Sequence, residues 1–261
     1  MNETTIELKN LTTGYQSKGD KHLVSSNICA EIKSGELTCL IGANGIGKST
    51  LMRTLAAFQP KLSGEIRVMG KEIESYSDKE LAQIISIVLT ERCDIQDMTI
   101  EELVGLGRSP YTGFWGTLKE VDKEVVKQSI EWVGLEHLAQ RNIQTLSDGE
   151  RQKTMIAKAL AQETPIIFLD EPTAFLDYTS KVDLLLLLHK LSREMQKTIF
   201  LSTHDVELAL QIADKLWLMD SENGVTIGSP QQLAKDGCLS RFFHHKNISF
   251  DKETRLITVH L

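Results

Sequence analysis

Residues 42–50 read GANGIGKST and match the pattern G-x-x-x-x-G-K-[ST]. The apolar run Leu37–Ile41 precedes them and is typical of a strand buried on both faces of a parallel sheet. A helical pattern over Ser49–Ala57 follows. Glycines at such a turn let successive backbone N–H groups point at phosphate oxygens, and the helix N-terminus adds partial positive charge. The sequence therefore predicts a phosphate-binding loop in an α/β fold.

The side chains of this loop indicate a nucleoside triphosphate and a magnesium ion as ligands. Lys48 would contact the β- and γ-phosphates, and the Ser49 hydroxyl would ligate Mg²⁺. Taken alone, the loop predicts an NTPase and nothing more specific. The predicted nucleotide-binding residues of the loop are Gly42, Asn44, Gly45, Gly47, Lys48, Ser49 and Thr50.

A second apolar run ends in two carboxylates. Residues 166–171 read IIFLDE, so Ile166–Leu169 predicts a buried strand with Asp170 and Glu171 at its carboxyl end, where open parallel sheets bind ligands. Asp170 is expected to hold Mg²⁺ through water, and Glu171 to polarise the water that attacks the γ-phosphorus. The pair could instead cap a helix or lie in solvent, but the phosphate loop favours the catalytic interpretation.

The rest of the chain predicts an α/β core interrupted by helices from about 92 to 162. Capping boxes predict helix starts at Ser77 and Thr99, and Gly134 is expected to end a helix whose apolar positions recur every four residues from Val121. The tail from about Gly237 is left unassigned apart from one strand. The other strands are predicted at Ile6–Leu11, Ile28–Ile32, Glu65–Val68, Ile84–Leu89, Thr198–Ser202, Leu256–His260 and a hairpin turning at Asn223-Gly224.

Residues 146–152 read LSDGERQ and resemble the LSGGQ signature of the ATP-binding-cassette (ABC) family. Three further segments match that family in the same order along the chain. Tyr15 lies where the family places an aromatic ring that stacks on adenine, and Phe175–Asp177 resembles its D-loop. His204 follows an apolar strand, as the family's switch histidine does. The resemblance covers roughly residues 4–235.

The resemblance implies a fold and a division of the chain. The fold is an α/β P-loop NTPase core of the RecA-like kind, with an N-terminal antiparallel β subdomain and a helical signature subdomain at about 92–162. Residues 1–236 would form the ATP-binding domain, and residues 237–261 a C-terminal tail of the same domain. ATP and Mg²⁺ are the implied cofactors, and the implied reaction is ATP hydrolysis.

The resemblance also implies a homodimer in which each ATP lies between the phosphate loop of one subunit and the signature of the other. ATP binding would close this dimer, and hydrolysis would reopen it. Ser147 and Gly149 would act on the partner's γ-phosphate, and a Ser-x-Gly turn at a helix start is an anion site on physical grounds too. His204 would contact the γ-phosphate and help to orient the attacking water, beside Glu171. Asp177 would serve as the D-loop aspartate.

The chain departs from the family pattern at two places. Asp148 and Glu150 stand where Gly and Gln are usual, and their carboxylates would repel a γ-phosphate unless they point away from it. The slot of the family's Q-loop glutamine holds Thr90. The hydroxyl of Thr90 could bind Mg²⁺ or the attacking water, while Glu91 or Gln96 could take over instead, and the sequence leaves this choice open.

Residues Met98–Gly116 resemble the GR-x-P-aromatic stretch of ATPases that power ferric-siderophore, haem and cobalamin importers. The resemblance implies separate integral membrane permease subunits and, indirectly, a substrate-binding protein. Leu103–Pro110 with Tyr111, Phe114 and Trp115 would form the edge of a groove for a permease coupling helix. The alternative is that Phe114 and Trp115 pack inside the helical region. The transported substrate follows from analogy alone.

Composition limits the class of protein. The 261 residues include 29 Lys and Arg against 36 Asp and Glu, and a net charge of −7 argues against binding nucleic acid by bulk charge. The longest apolar run, Leu184–Leu188, is too short to span a bilayer, and the N-terminus lacks a secretory pattern. Free thiols in a reducing cytosol are expected at Cys29, Cys39, Cys93 and Cys238.

We therefore expect a cytoplasmic protein, peripheral at the inner face of the cell membrane. Two alternatives stay open. One is a soluble ABC-type ATPase, for example one that serves iron–sulfur assembly. The other is a nucleotide-binding adaptor with little turnover, which Thr90, Asp148 and Glu150 keep open and which Glu171 and His204 disfavour.

Overall fold

The computed structural model describes residues 3–17, 20–90, 97–113, 115–221, 224–243, 248–252, 254 and 256–259. Several residues named above lie outside the described residues. They are Glu91, Cys93, Gln96, Phe114, Asn223 and His260.

The main sheet is built from strands that the apolar runs predicted. Its order is β10-β9-β3-β8-β7-β6, with every adjacent pair parallel except β9 and β10. The central strands β3, β7 and β8 are buried along their whole length, as parallel strands covered on both faces require. The bounds are β3 Leu37–Gly42, β6 Ile85–Val88, β7 Ile166–Leu169, β8 Thr198–Thr203, β9 Lys215–Asp220 and β10 Gly224–Gly228.

An antiparallel sheet from the N-terminal part packs beside the main sheet. Its order is β2-β1-β4-β5. Apolar side chains of β1 share one buried cluster with Phe200 and Trp217 of the main sheet, so the two sheets enclose common core. The bounds are β1 Thr4–Ser17, β2 Asp20–Lys33, β4 Ser63–Val68 and β5 Lys71–Glu72.

Helices cover the main sheet and form the inserted helical region. Both predicted capping boxes are confirmed, at Ser77 with Glu80 and at Thr99 with Glu102. α3, α4 and α5 pack on one another, and Gly134 has the left-handed φ of a helix stop directly after α4. The bounds are α1 Lys48–Leu55, α2 Asp78–Leu81, α3 Ile100–Gly105, α4 Glu120–Trp132, α5 Asp148–Ala161, α6 Tyr178–Glu194, α7 Val206–Ile212, α8 Pro230–Lys235 and α9 Cys238–Phe242.

The predicted four-residue row of α4 lies mostly on its buried face. Ser129 and Val133 are buried and Val125 packs against the core, whereas Val121 is 72% exposed. A spacing of four residues exceeds the 3.6 residues of a helical turn, so a row at that spacing drifts around the helix. The drift explains why the first position of the row faces solvent while the later ones face the core.

The C-terminal tail is ordered where it is described, which the sequence did not predict. It contains α9 and a hairpin of β11 (Ile248–Phe250) and β12 (Ile257–Val259), the latter within the predicted strand. Leu239 and Phe250 join the core on the helical side of the main sheet. In the part of the chain described here, no helix is long and apolar enough to cross a membrane.

Candidate nucleotide site

The phosphate loop connects β3 to α1 at the carboxyl edge of the main sheet. Gly47 precedes α1 with φ 110°, and a Cβ there would lie 2.0 Å from Cγ1 of Val24, so only glycine fits. The Nζ atom of Lys48 is buried under the loop and donates to the carbonyl oxygens of Gly42 at 2.9 Å and Ala43 at 3.2 Å. The loop therefore closes around the ammonium group of Lys48.

Two opposing effects act on the pKa of Lys48. Burial lowers the pKa of its ammonium group, while the nearby carboxylates of Glu171 and Asp170 act to raise it. Added phosphate would contribute further negative charge and favour the protonated form. The position thus suits a lysine whose charge is balanced by an anionic ligand.

Asp170 lies at the carboxyl end of β7, and each of its carboxylate oxygens accepts one hydroxyl. Ser49 donates to Oδ2 at 3.0 Å, and Ser202 donates to Oδ1 at 2.6 Å. A hydroxyl and a carboxylate oxygen in contact are hard donors of the kind that Mg²⁺ prefers, with phosphate and water completing its shell. Ser49 and Asp170 therefore fit a magnesium ion. Ser202, which the sequence analysis did not single out, holds the other oxygen of Asp170.

Glu171 has a strained backbone and lies beside an imidazole and an ammonium group. Its φ of 47° is left-handed, which costs a non-glycine residue about 1–3 kcal/mol and persists only when the surroundings hold it. Its Oε1 atom lies 2.5 Å from Nε2 of His204 and 3.9 Å from Nζ of Lys48. The structure thus brings the predicted catalytic pair together beside the phosphate-loop lysine.

Thr90 makes a different contact from those the sequence suggested. Its Oγ1 atom donates to the main-chain carbonyl of Asp170 at 2.7 Å. The hydroxyl proton of Thr90 is thus engaged by the backbone next to Glu171. The other candidates for this slot, Glu91 and Gln96, lie outside the described residues.

The signature segment begins α5 with a complete capping box. Ser147 accepts from the backbone N–H of Glu150 at 3.3 Å, and Glu150 Oε2 accepts from the backbone N–H of Ser147 at 2.8 Å and from its hydroxyl at 2.9 Å. The Ser147 backbone N–H, followed by its hydroxyl, holds the pKa of Glu150 below its usual range. Glutamate at this position is therefore explained by the capping of α5.

Gly149 is the second residue of α5, and the packing of its own chain does not require glycine there. A Cβ at this position would meet only Ser180, with Oγ at 3.7 Å and Cβ at 3.9 Å, which are ordinary contacts. The helix has room for a side chain here. The absence of one keeps the surface of α5 open to close approach from outside the chain.

Tyr15 and Asp177 occupy the remaining predicted positions. Tyr15 is 50% exposed near the end of β1 and stacks on His22 with ring centroids 5.0 Å apart. Asp177 caps α6 by accepting from the backbone N–H of Ser180 at 2.8 Å, and this bond lowers the pKa of its carboxyl. One turn further along α6, Lys181 donates a hydrogen bond to Asp205, the residue that follows His204.

Asp205 is a further residue to which the sequence assigned no role. Its carboxylate accepts from Thr173 Oγ1 and from Lys181 Nζ, each at 2.6 Å. These contacts join the residue after His204 both to the segment after Glu171 and to the first turn of α6. The sequence signal that could have singled out Asp205 is its position as a polar residue just after a buried strand. Its partners, Thr173 and Lys181, are brought to it only by the fold.

The GR-x-P stretch is largely internal, which corrects part of the predicted groove edge. Arg108 is buried, with Nε 2.9 Å from Asp122 Oδ1 and Nη1 donating to Ala161 O at 2.8 Å and Glu163 Oε2 at 2.6 Å. Leu103 and Val104 are buried too. A Cβ at the preceding Gly107 would lie 2.3 Å from the carbonyl oxygen of Lys158, so close packing on α5 draws this stretch inward.

The groove itself is lined in part by residues at the C-terminal end of α5. It has a volume of about 620 Å³ and runs between the core and the helical region. Of the predicted edge, Trp115 is 88% exposed and Leu106 is also exposed. The side chains that line the groove include Phe58, Leu81, Ile85, Ile87, Met155 and Gln162.

A family comparison identifies this arrangement. The model of the ABC transporter family matches residues 25–174, which span the phosphate loop, the signature and the Asp170-Glu171 pair. The chain belongs to the ABC transporter family. It is an ATPase of that family, and ATP is its ligand.

Individual relatives and one solved structure support the same family assignment. An uncharacterised ABC transporter ATP-binding protein of Methanocaldococcus jannaschii is 40% identical over 95% of this chain and 84% of its own length. The ferric enterobactin transport ATP-binding protein FepC of Escherichia coli is 36% identical over 93% of this chain and 89% of its own. An ATP-binding cassette solved as a dimer in a post-hydrolysis state with ADP and Pi superposes with a TM-score of 0.73, at 26% identity over 86% of this chain and 98% of that one.

Proposed function

We propose that this ABC ATPase powers an importer whose substrate is an iron–siderophore complex, haem or cobalamin. The observation that carries the catalytic part is the position of the Glu171 carboxylate, 2.5 Å from His204 and 3.9 Å from Lys48. The similarity to FepC along nearly the whole chain supports the iron–siderophore class. The GR-x-P-aromatic stretch supports the same group of importers.

In this proposal the nucleotide is bound mainly by the phosphate loop. Its backbone N–H groups and Lys48 hold the phosphates, Thr50 and the other loop residues shape that cradle, and Tyr15 stacks on the base. Ser49 and Asp170 hold Mg²⁺, which neutralises phosphate charge when bound. Local N–H groups and one lysine suffice for this, so the negative net charge of the chain is no obstacle.

Hydrolysis then depends on placing one water. Glu171 polarises that water opposite the leaving group, and His204, in contact with the same carboxylate, contacts the γ-phosphate and orients the water. Phosphoryl transfer needs a positioned nucleophile and charge neutralisation more than covalent help. The Glu171 carboxylate, with an imidazole and an ammonium group each within 4 Å of it, supplies those requirements.

The active site is completed by a second copy of the chain. Ser147 and Gly149 of one subunit meet the γ-phosphate held by the other, and Asp177 lies in the loop that approaches the partner. The room for a side chain at Gly149 supports this arrangement, since its own chain does not demand glycine there. The dimeric post-hydrolysis neighbour supports it as well. ATP binding closes the homodimer, and hydrolysis reopens it.

Transport requires integral membrane permease subunits and, indirectly, a substrate-binding protein. The groove of about 620 Å³ beside α5 combines apolar side chains with Asp78, Lys158 and Gln162, a lining that suits an amphipathic permease helix. Trp115 and Leu106 are exposed on the helical region. The protein is then peripheral at the cytoplasmic face of the membrane. Residues 1–236 act as the ATP-binding domain, and residues 237–261 are its C-terminal tail. The protein does not bind nucleic acid in this proposal.

Reconstitution of transport tests the proposal. The chain is co-purified with a candidate permease from detergent extract, incorporated into proteoliposomes with the substrate-binding protein, and supplied with ATP. Uptake of a ferric siderophore, haem or cobalamin is measured against Glu171→Gln as the matched control. ATP-dependent uptake of one of these compounds is expected. Purification with soluble partners alone would contradict the importer assignment and leave the ATPase assignment standing.

A further inference from the structure

We infer that Thr90 is a positioning residue that holds Glu171 in its catalytic orientation through the peptide group between Asp170 and Glu171. This inference rests on the proposed role of Glu171. The peptide group is fixed at both of its polar atoms. Its carbonyl oxygen accepts from Thr90 Oγ1 at 2.7 Å, and its N–H donates to Ser202 Oγ at 2.9 Å.

The two hydroxyls come from opposite sides of β7. Thr90 follows β6 and Ser202 belongs to β8, and these are the two strands that flank β7 in the sheet. Rotation of the peptide group about its Cα–Cα axis would break both hydrogen bonds at once. The hydroxyls of Thr90 and Ser202 together therefore fix the orientation of this one peptide plane.

That orientation decides where the carboxylate of Glu171 lies. Glu171 has the left-handed φ of 47°, a conformation that a residue with a Cβ keeps only when neighbouring contacts impose it. Relaxation toward an ordinary φ would swing the side chain away from His204 Nε2 and Lys48 Nζ. Loss of the Thr90 bond removes one of the two hydrogen bonds that fix the peptide group preceding this φ.

Thr90 also stands where the chain leaves the core for the helical region. It is two residues beyond β6, and α3 begins at Ile100. A displacement of the helical region that pulls on this connection reaches the Asp170–Glu171 peptide through one hydrogen bond. Thr90 thus does more than fill the slot of a longer glutamine. It links the region that carries the groove and the signature to the backbone of Glu171.

The test compares Thr90→Val, which keeps the shape and removes the hydroxyl, with Thr90→Ser, which keeps the hydroxyl. Because small misplacement of a catalytic group is costly, Thr90→Val is expected to lower kcat by between about tenfold and a hundredfold with an unchanged KM for ATP. Thr90→Ser is expected to restore most of the activity. A kcat for Thr90→Val equal to that of the wild type, or an equal loss in Thr90→Ser, would overturn the inference.

A matched control uses Thr164, whose buried hydroxyl also bonds a main-chain carbonyl, that of Ile166 at 3.0 Å, at the opposite end of β7. Thr164→Val is expected to lower the unfolding temperature while leaving kcat unchanged. Thermal unfolding of every variant separates loss of folded protein from loss of catalysis. If Thr164→Val lowers kcat as much as Thr90→Val, the hydroxyls act on stability alone and the inference fails.

The double variant Thr90→Val/Glu171→Gln shows whether Thr90 acts through Glu171. The two changes are expected to be non-additive, so the double variant should match Glu171→Gln alone. A further fall in kcat would contradict the proposed route. If Glu171→Gln itself hydrolyses ATP like the wild type, the proposed function fails instead, and the two failures are thereby distinguished.

Discussion

The Nε2 atom of His204 lies 2.5 Å from the Oε1 atom of Glu171, although the two residues follow different strands. Parallel pairing of β7 with β8 places Leu169 opposite Leu201, so both chain segments leave the sheet at the same edge. The same carboxylate oxygen lies 3.9 Å from Nζ of Lys48. The Glu171 carboxylate therefore connects His204, after β8, with Lys48 of the phosphate loop.

Glu171→Gln keeps the shape of the side chain and removes its negative charge. We expect ATP hydrolysis to fall by at least about tenfold, since proton transfer by a positioned group contributes at least that factor. ATP should still bind, because the phosphate loop is intact, so the variant should accumulate as an ATP-bound dimer. Phosphate release and size-exclusion chromatography with ATP measure both effects. Equal hydrolysis by variant and wild type would exclude Glu171 as the group that polarises water.

Lys48→Ala removes the ammonium group from the centre of the loop. Nucleotide affinity itself is expected to drop, because no other described side chain donates from that position to the loop carbonyls of Gly42 and Ala43. Titration with a fluorescent ATP analogue measures this directly. Arg53, in the last turn of α1, offers a matched basic residue, and Arg53→Ala should bind ATP normally. Unchanged affinity in Lys48→Ala would contradict the assignment of the loop.

The residues of the site differ in how far they could be predicted from sequence. The phosphate loop, the Asp170-Glu171 pair and the capping boxes are encoded within short stretches, so their spacing alone identifies them. The bond from Thr90 to Asp170 joins residues that are 80 positions apart. It depends on the order of strands β8, β7 and β6, which local sequence does not encode.

Burial explains the other departures from expectation. Arg108 looked like part of an exposed edge, but it is neutralised inside the helical region by Asp122 and Glu163. A charged residue in a motif does not reveal whether its partners will bury it. The tail is similar, because Leu239 and Phe250 become core residues only once α9 and the hairpin fold back on the sheet.

Asp205 should position His204 through its contacts with Thr173 and Lys181. Lys181→Met removes the ammonium group that holds Asp205 and is expected to lower kcat severalfold while leaving ATP affinity unchanged. Lys190→Met on the same helix is the matched control, because the contacts described for Lys190 are with Glu194 and the ring of Trp132 and not with Asp205. Steady-state kinetics measures both variants. A similar loss of activity in the two would indicate a general effect on α6 rather than positioning of His204.

Asp122 should make the stability of the helical region depend on pH. The backbone N–H of Lys119, followed by the Arg108 guanidinium, holds the pKa of Asp122 below its ordinary value. The unfolded chain therefore binds this proton more readily, so the stabilisation is complete above the ordinary value of about 3.9 and is lost as the pH falls through the folded one. Urea unfolding between pH 3 and 6 should show a weaker acid dependence in Asp122→Asn. The exposed Asp183→Asn should behave like the wild type.

Complementation between inactive variants tests whether the signature acts in the partner's site. Gly149→Ala should fold, since its Cβ meets only ordinary contacts, but the methyl group should obstruct the partner's γ-phosphate. When Lys48→Ala and Gly149→Ala chains are mixed before ATP is added, each heterodimer contains one site with an intact loop and an intact signature. Random pairing then predicts about one quarter of wild-type hydrolysis, because half of the dimers carry one good site of two. Lys48→Ala mixed with Glu171→Gln should show no gain, because both residues act within one chain's own site and every site carries a defect. A gain in both mixtures, or in neither, would contradict a signature that works across the dimer.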